Sequence, residues 1–476
     1  MNHVLLISTD VVGAAMAGPG IRALELGRAL ARAGHRVTLA APGGSDVVAP
    51  DLTVVAYSYG SPGTFDDLLA TTDLLVGQGF VFEAHPELLA SSLPIAVDLY
   101  DPLILESLDL YAHAEPAAAQ QAAARYLDLT MAQLRRGDFF FCATERQRDY
   151  WLGALSVAGR LTPASVAGDD RELHGLIDLV PSGIAVAPPA RSAPVLRGIH
   201  PAVAPDDLLL VWVGGLWDWF DPLLIVRAVA ALDERCPRLR LCFFGGARPN
   251  SHGPPIRTRQ AEELRALAAE LGVLNRSVVV LDDWVPYAER GRYLAEADIG
   301  VSAHRPGVET RFAFRTRLLD HIWARLPTIC TAGDSLGAQI AEVGGGLLVA
   351  PDDQAGWQAA ITRLYADAKL RAGCRKALER LAGQFSWDEV ARPLTRFCAA
   401  PRRSAALRPE PAQRADDREV ELTAIRASAA ETSAYARRLE RELAARDAQI
   451  AAMADLLRRI ENGRLMRILR ALRRNR

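Results

Sequence analysis

The sequence predicts an α/β protein of two Rossmann-like, doubly wound domains with a cleft between them, followed by a C-terminal helical coiled coil. Three observations carry that prediction. Short apolar runs alternate with helical patterns through residues 1–187, the alternation restarts at residue 207, and from residue 418 it gives way to a seven-residue repeat. A chain of 476 residues is too long for one core, which points to two domains plus extras.

The first unit sets the pattern. Residues 4–8 read as a buried strand, 13–20 as a Gly-rich turn, and 21–33 as a helix that stops at Gly34. The next strand, 35–40, ends at Pro42-Gly43-Gly44. A strand, a helix and a second strand in this order form a crossover, which only a parallel sheet needs. Further strands fall at 52–57, 74–77, 95–98, 139–143 and 177–181, with a long helix near 117–135. Residues 188–206, rich in Ala, Pro and Ser, read as an interdomain linker. The second domain, 207–384, opens with a strand at 208–213, a Gly214-Gly215 turn and a helix at 222–232. Its other strands fall at 241–244, 277–281, 299–303, 328–331 and 346–349, and one closing helix lies within 385–399. Ligands of such sheets bind beyond the carboxyl ends of the strands.

The remainder differs in kind. Residues 400–417 are Pro- and Arg-rich and read as a second linker. Through 418–462 a seam of Leu422, Ile425, Ala429, Thr432, Ala436, Leu439, Leu443, Arg446, Ile450, Met453, Leu457 and Ile460 keeps the alternating spacing of a coiled coil. The tail 463–476 holds six Arg and no acid, with Leu465, Ile468, Leu469 and Leu472 on one helical face. Such a helix suits an anionic membrane surface.

Composition narrows the function. A formal net charge of −2 argues against a polycation built for nucleic acid. The six Cys are scattered without C-x-x-C spacing, so neither a disulfide framework nor a zinc site is expected, and a reducing compartment fits best. No run of about 18 apolar residues and no signal peptide is visible, so a cytoplasmic protein, peripheral on the inner membrane face through its tail, is expected.

Three segments carry chemistry. Met16-Ala-Gly18-Pro-Gly20-Ile-Arg22 lies between the first strand and helix, where backbone N–H groups meet an anion, or where the chain simply turns. Its spacing is not that of a dinucleotide fingerprint. Trp212-Val-Gly214-Gly215-Leu-Trp217-Asp218-Trp219-Phe-Asp221-Pro222 holds the same place in the second domain. There Asp221 and Pro222 suit a helix start, and the Trp pair packs on itself or on a base or sugar. The third segment, 302–321, puts Arg305, Arg311, Arg315 and Arg317 around a helix start, a concentration of positive charge that suits a diphosphate. Asp320 lies just over one turn inside that helix.

Here the chain resembles a known family. Gly18-Pro-Gly20 before Arg22-Ala-Leu-Glu-Leu-Gly-Arg-Ala-Leu30, with Gly34-His35-Arg-Val-Thr, resembles the amino half of retaining GT-B glycosyltransferases of the family 4 type, the glycosyl transferases group 1. Leu179-Val-Pro-Ser-Gly183-Ile, Asp320-His-Ile-Trp-Ala-Arg-Leu-Pro327 and Gly345-Gly-Leu-Leu-Val-Ala-Pro-Asp352 resemble that family's domain-junction, ribose-helix and late-strand motifs. The resemblance covers about residues 1–398. It implies a metal-independent, cofactor-free transfer of sugar from a nucleotide diphosphate.

Two departures stand out. The family has paired Glu eight residues apart. Asp320 matches the second, the ribose holder, but Phe312 stands where the first belongs, and Glu309 fills that role only if the loop is three residues longer. The Arg and Lys of the family's first loop in this domain are replaced by Gly-Leu-Trp-Asp-Trp-Phe-Asp. Phosphate charge must then meet Arg311, Arg315 or Arg317. The expected donor contacts are Gly18, Gly20, Gly214, Gly215, Trp217, Asp218, Trp284, Glu309, Arg311, Phe314, Arg315, Thr316, Arg317 and Asp320. An acceptor base is sought among Asp98, Asp101 and His85, on loops after first-domain strands. The expected reaction transfers a hexose-like sugar to a glycan or lipid-linked acceptor, in surface polysaccharide synthesis, by a homo-oligomer. A nucleotide-sugar epimerase on the same fold, or a non-catalytic scaffold subunit, are the alternatives.

Overall fold

The structure is a computed structural model and describes residues 1–166, 170–244, 258–281, 283–403, 438–455 and 459. The chain forms two units, Met1–Ala406 and Leu407–Arg476.

The first unit holds two parallel sheets. Strands β1 (His3–Ile7), β2 (Arg36–Pro42), β3 (Thr53–Tyr57), β4 (Leu74–Gly77), β5 (Ile95–Asp98), β6 (Phe139–Cys142) and β7 (Ile177–Leu179) run in the order β3-β2-β1-β4-β5-β6-β7. Strands β8 (Leu208–Trp212), β9 (Leu239–Phe243), β10 (Val278–Val280), β11 (Ile299–Ser302), β12 (Thr328–Thr331) and β13 (Gly346–Val349) run in the order β10-β9-β8-β11-β12-β13. Most of these strands are predominantly apolar and buried, as a sheet covered on both faces requires, and the edge strands β3 and β13 are the more exposed. The chain order reverses beside β1 and beside β8. Beyond the carboxyl ends of those strands a crevice opens in each domain, and this is where ligands of such sheets sit. Together these sheets are the GT-B architecture of two Rossmann-like domains.

Two elements differ from expectation, the first helix and the closing helix, and the linker is held more firmly than its composition implies. The first helix spans Gly18–Arg32, so the Gly-Pro-Gly run lies in its first turn, where Pro19 costs no backbone hydrogen bond. Gly20 is required there, because a Cβ would stand 2.4 Å from the Val11 carbonyl oxygen. The linker forms neither strand nor helix, yet it is pinned to the second domain. The Glu296 carboxylate accepts from the N–H groups of Val195, Leu196 and Arg197 at 2.5, 3.1 and 2.7 Å, and Leu196 and Val203 are buried beside Leu209 and Val211. The closing helix is two short helices, Trp387–Val390 and Arg392–Ala399, the second opening with Pro393 in its first turn.

That closing segment returns to the first domain. Phe397 stacks on Phe139 with centroids 5.0 Å apart, and Ile184 N–H donates to the Phe385 carbonyl at 2.7 Å. One apolar cluster accordingly joins Val4, Val76 and Phe139 of the first domain to Leu318, Ile322 and Leu378 of the second. All six Cys are free and buried.

In the second unit residues 438–455 are helical, with Leu439, Leu443, Ile450 and Met453 exposed. The rest of the expected seam and the basic tail, residues 404–437, 456–458 and 460–476, lie outside the described residues. Among the described residues no helix is long and apolar enough to cross a membrane.

Candidate active site

A cavity of about 410 Å³ lies between the two sheets, walled by both domains. On the first-domain side stand Gly18 and Arg22 of the first helix and Tyr100, Asp101 and Glu106 from the loop and helix after β5. Arg22 is almost fully buried. Its Nε and Nη2 donate to the two Asp98 carboxylate oxygens at 2.5 and 3.0 Å, Nη2 also reaches the Val180 carbonyl at 2.7 Å, and the guanidinium lies over the Tyr100 ring. A buried pair satisfied this fully fixes the loop after β5 rather than offering a free carboxylate.

Asp101 and Glu106 have no such partner among the described ion pairs. Burial pushes Asp101 up to about 7, with the nearby Asp98 and Glu309 carboxylates adding to the shift against a hydrogen bond from Tyr100. Burial, then Asp101 and Glu309, push Glu106 well above the usual carboxylate range. This wall therefore holds protons near neutrality.

The second-domain side begins at the turn after β8. Gly214 has φ +83°, a left-handed backbone that suits glycine, and Gly215 follows at the cavity wall. Asp221 caps the next helix by accepting from Leu224 N–H at 3.1 Å, with Pro222 in its first turn. Trp217 and Trp219 stack on each other, 5.7 Å between centroids and 19° between planes, and both line the cavity.

The helix Thr316–Trp323 points its start at the same space. Three arginines surround it in different states. Arg315 is buried in a two-pronged pair with Glu309, at 2.9 and 2.5 Å. Arg290 meets Asp320 at 3.1 Å and lies over the rings of Tyr287 and Trp323. Arg317 lies 4.2 Å from the Trp212 ring centroid and 3.8 Å from that of Phe220, and its Nη2 donates to the Gly215 carbonyl at 2.7 Å. Its Nη1 is buried without a partner, and among the described residues Arg317 makes no ion pair. Burial, then the neighbouring Arg315 charge, pull its pKa well below the usual arginine value, and Asp320 opposes them. Burial raises the pKa of Asp320, against the Arg290 and Arg317 charges.

Of the residues expected from sequence, Gly18, Asp101, Gly214, Gly215, Trp217, Trp284, Glu309, Phe314, Arg315, Thr316, Arg317 and Asp320 line the cavity. Asp98 lies behind the wall on Arg22. Gly20 packs on Val11, Asp218 faces Arg259 at 3.8 Å, and Arg311 is exposed beside Phe312. His85 is elsewhere, fully buried among Tyr57, Tyr59 and Phe65, with Nε2 accepting from Gly60 N–H at 3.0 Å. Phe312 packs on Tyr150, so the carboxylate that reaches the cavity from this loop is Glu309. Sequence reasoning missed Glu106, Tyr287 and Arg290. The Tyr287–Arg290 stack joins residues three apart, a visible spacing in a segment without a motif.

Comparison with known proteins bears on the family and the fold. Residues 207–367 match the family described as Glycosyl transferases group 1. A D-inositol 3-phosphate glycosyltransferase of Stackebrandtia nassauensis is 29% identical over 265 residues, 51% of this chain and 57% of that protein. The chain thus spans little more than half the length of the curated relatives it matches. Among solved structures, sucrose-phosphate synthase from Thermosynechococcus elongatus is similar over 83% of this chain and 98% of its own, with TM-score 0.57 and 18% identity. The Anabaena protein HepE in complex with UDP-glucose is similar over 84% of this chain and 100% of its own, with TM-score 0.55 and 13% identity.

Proposed function

We propose that this GT-B protein, of the glycosyl transferases group 1 type through residues 207–367, moves a sugar from a nucleotide diphosphate to a glycan or lipid-linked acceptor. The observation that carries the reading is Arg317, buried and without an ion pair among the described residues, at the cavity wall between the Gly214-Gly215 turn and the Thr316 helix start. A buried cation without a counter-charge is costly, and a diphosphate supplies one. The leaving diphosphate gathers charge as the glycosidic bond breaks, so fixed donors aimed at it lower the barrier. Asp320 accepts from the ribose hydroxyls, and the Arg290 charge opposes the upward pKa shift that burial imposes on it. Arg315 is held by Glu309 and shapes the site, so less of the phosphate charge falls on it than the sequence implies.

Asp101 is the group we assign as acceptor base, since it lines the cavity with a pKa close to neutrality. Retention of anomeric configuration rests on the family resemblance alone. The UDP-glucose held by the Anabaena neighbour supports a uridine diphosphate sugar as donor. We further propose metal-independent turnover, a role in surface polysaccharide synthesis, a homo-oligomer through the 418–462 seam, and tail contact with an anionic membrane.

A donor panel with diphosphate release as the readout tests the reading. Release that depends on an added acceptor and survives EDTA is expected. Donor consumption that yields an epimer without acceptor, or donor binding without turnover, would replace it.

A further inference from the structure

We propose that Gln147 is a positioning residue that fixes the distance between the two walls of the cavity, an inference that rests on the glycosyltransferase reading above. Gln147 sits in the first turn of the helix Glu145–Val157 of the first domain and is fully buried. Its Oε1 accepts from Ala143 N–H at 2.7 Å. Its Nε2 donates at 2.8 Å to the Tyr100 carbonyl of the first domain, and at 2.8 Å to the Phe312 carbonyl of the second. One amide thus ties the residue before Asp101 to the loop that carries Glu309 and Arg315.

Neighbouring contacts aim the amide. Trp151, one helical turn on, donates from Nε1 to the Leu99 carbonyl at 2.9 Å, so this helix grips the loop after β5 at two successive carbonyls. The Phe312 ring packs on Tyr150 of the same helix. Thr144 caps the helix by accepting from Gln147 N–H at 3.1 Å, which fixes the backbone from which the side chain projects. The side chain is therefore short of freedom at both ends. Gln147 does not line the cavity and touches no reacting atom. It acts through the Tyr100–Asp101 loop and the 308–312 helix, whose separation sets how an acceptor base meets a donor held by the second domain.

An amide suits this task in a way that other side chains do not. Two backbone carbonyls from different domains need one group with two N–H donors, and Ala143 N–H needs an acceptor on the same group. Glutamate offers no second donor. Methionine fills the volume and offers neither. Neither can join the two carbonyls, and a misplacement of about 1 Å between reacting groups is enough to slow a reaction a hundredfold.

The test uses the full chain with Gln147→Met and Gln147→Ala. Donor affinity, measured by calorimetry with the nucleotide diphosphate, should stay within about twofold, because the donor site belongs to the second domain. Turnover at saturating donor should fall about tenfold to a hundredfold. Hydrogen exchange should quicken in 99–102 and in 308–312 together, while the core strands of both sheets stay protected. Turnover and donor affinity falling in step, or exchange quickening in the first-domain loop alone, would overturn the proposal. If the wild-type chain turns over no donor, the enzyme reading fails, and the paired exchange response in the two domains still decides whether Gln147 couples them.

Discussion

Arg290 Nη1 stands 3.1 Å from Asp320 Oδ1, with the guanidinium lying 4.2 Å from the Tyr287 ring centroid. The cation opposes the upward pKa shift that burial imposes on this carboxylate. Asp320→Ala should weaken nucleotide-diphosphate binding by about 1.5–3 kcal/mol if it accepts from the ribose. Arg290→Met should weaken it too, with the loss growing as pH falls, because Asp320 then protonates more easily. Calorimetry across a pH series measures both. Unchanged affinity in the Asp320 variant removes that residue from the donor site.

Asp101 gives a pH dependence whose sign is fixed. With a pKa of about 7, the carboxyl is protonated in acid and ionised in base, so a base role makes turnover rise with pH through a limb near 7. Asp101→Asn should abolish that limb. The fold responds in the opposite sense. Folding binds this proton more tightly than the unfolded chain does, so stability falls as pH rises from the ordinary carboxylate range to about 7. The Asn variant should therefore raise Tm most above that pH. A flat profile in the wild type excludes Asp101 as base.

The Glu309–Arg315 pair separates shape from charge. Removing Glu309 alone leaves a buried guanidinium without its partner, which costs about 3–5 kcal/mol in urea unfolding. Replacing both, as Glu309→Leu with Arg315→Met, should recover most of that stability. The same double variant should remain poorly active, since Glu309 also lines the cavity. Full activity in a stable double variant would make the pair a structural strut only.

His85 should behave as a core residue. Its Nε2 accepts from Gly60 N–H, which leaves the proton on Nδ1, facing Glu87 Oε1 at 3.1 Å. His85→Ala should cost about 1–3 kcal/mol of stability by stranding that N–H. Turnover per folded molecule should be unchanged. A loss of turnover with Tm intact would return His85 to the site.

These cases show what the sequence makes legible. Short, mostly apolar runs bounded by turn residues mark parallel strands, so β4, β5, β12 and β13 can be read to the residue, and Gly214-Gly215 after β8 marks the crevice. The Asp320 helix is legible through its position before Leu326-Pro327. What stays hidden is pairing across distance. Asp98 and Arg22 are 76 residues apart, and only folding shows that the acid is already committed. His85 looks like a loop histidine because the aromatic residues around it come from the stretch 57–65, well before it in the chain. Arg290 and Glu106 sit in helices without a motif, and the cavity gathers them only through the packing of the two domains. The two-part closing helix follows from Pro393, whose position near the middle of the expected helix is itself readable.

The C-terminal seam gives the last prediction. Within 438–455, Leu439, Leu443, Ile450 and Met453 are exposed at 46%, 66%, 67% and 63%, on a helix otherwise rich in charge. Helical stability in proteins comes mostly from packing an apolar face, so a partner for that stripe stabilises the helix as well as the stripe. A second copy is the partner whose own seam has the matching spacing. Sedimentation equilibrium of the full chain should give a dimer or higher oligomer, and Leu443→Glu with Ile450→Glu should give the monomer mass. Arg446 occupies the seam between those two positions. In a parallel, in-register pair the two Arg446 charges face each other. High salt should then strengthen the dimer by screening them, and Arg446→Leu should strengthen it further. An antiparallel pair separates the two charges and responds to neither change. A monomeric wild type leaves the stripe without a second copy and removes oligomerisation from the proposed function.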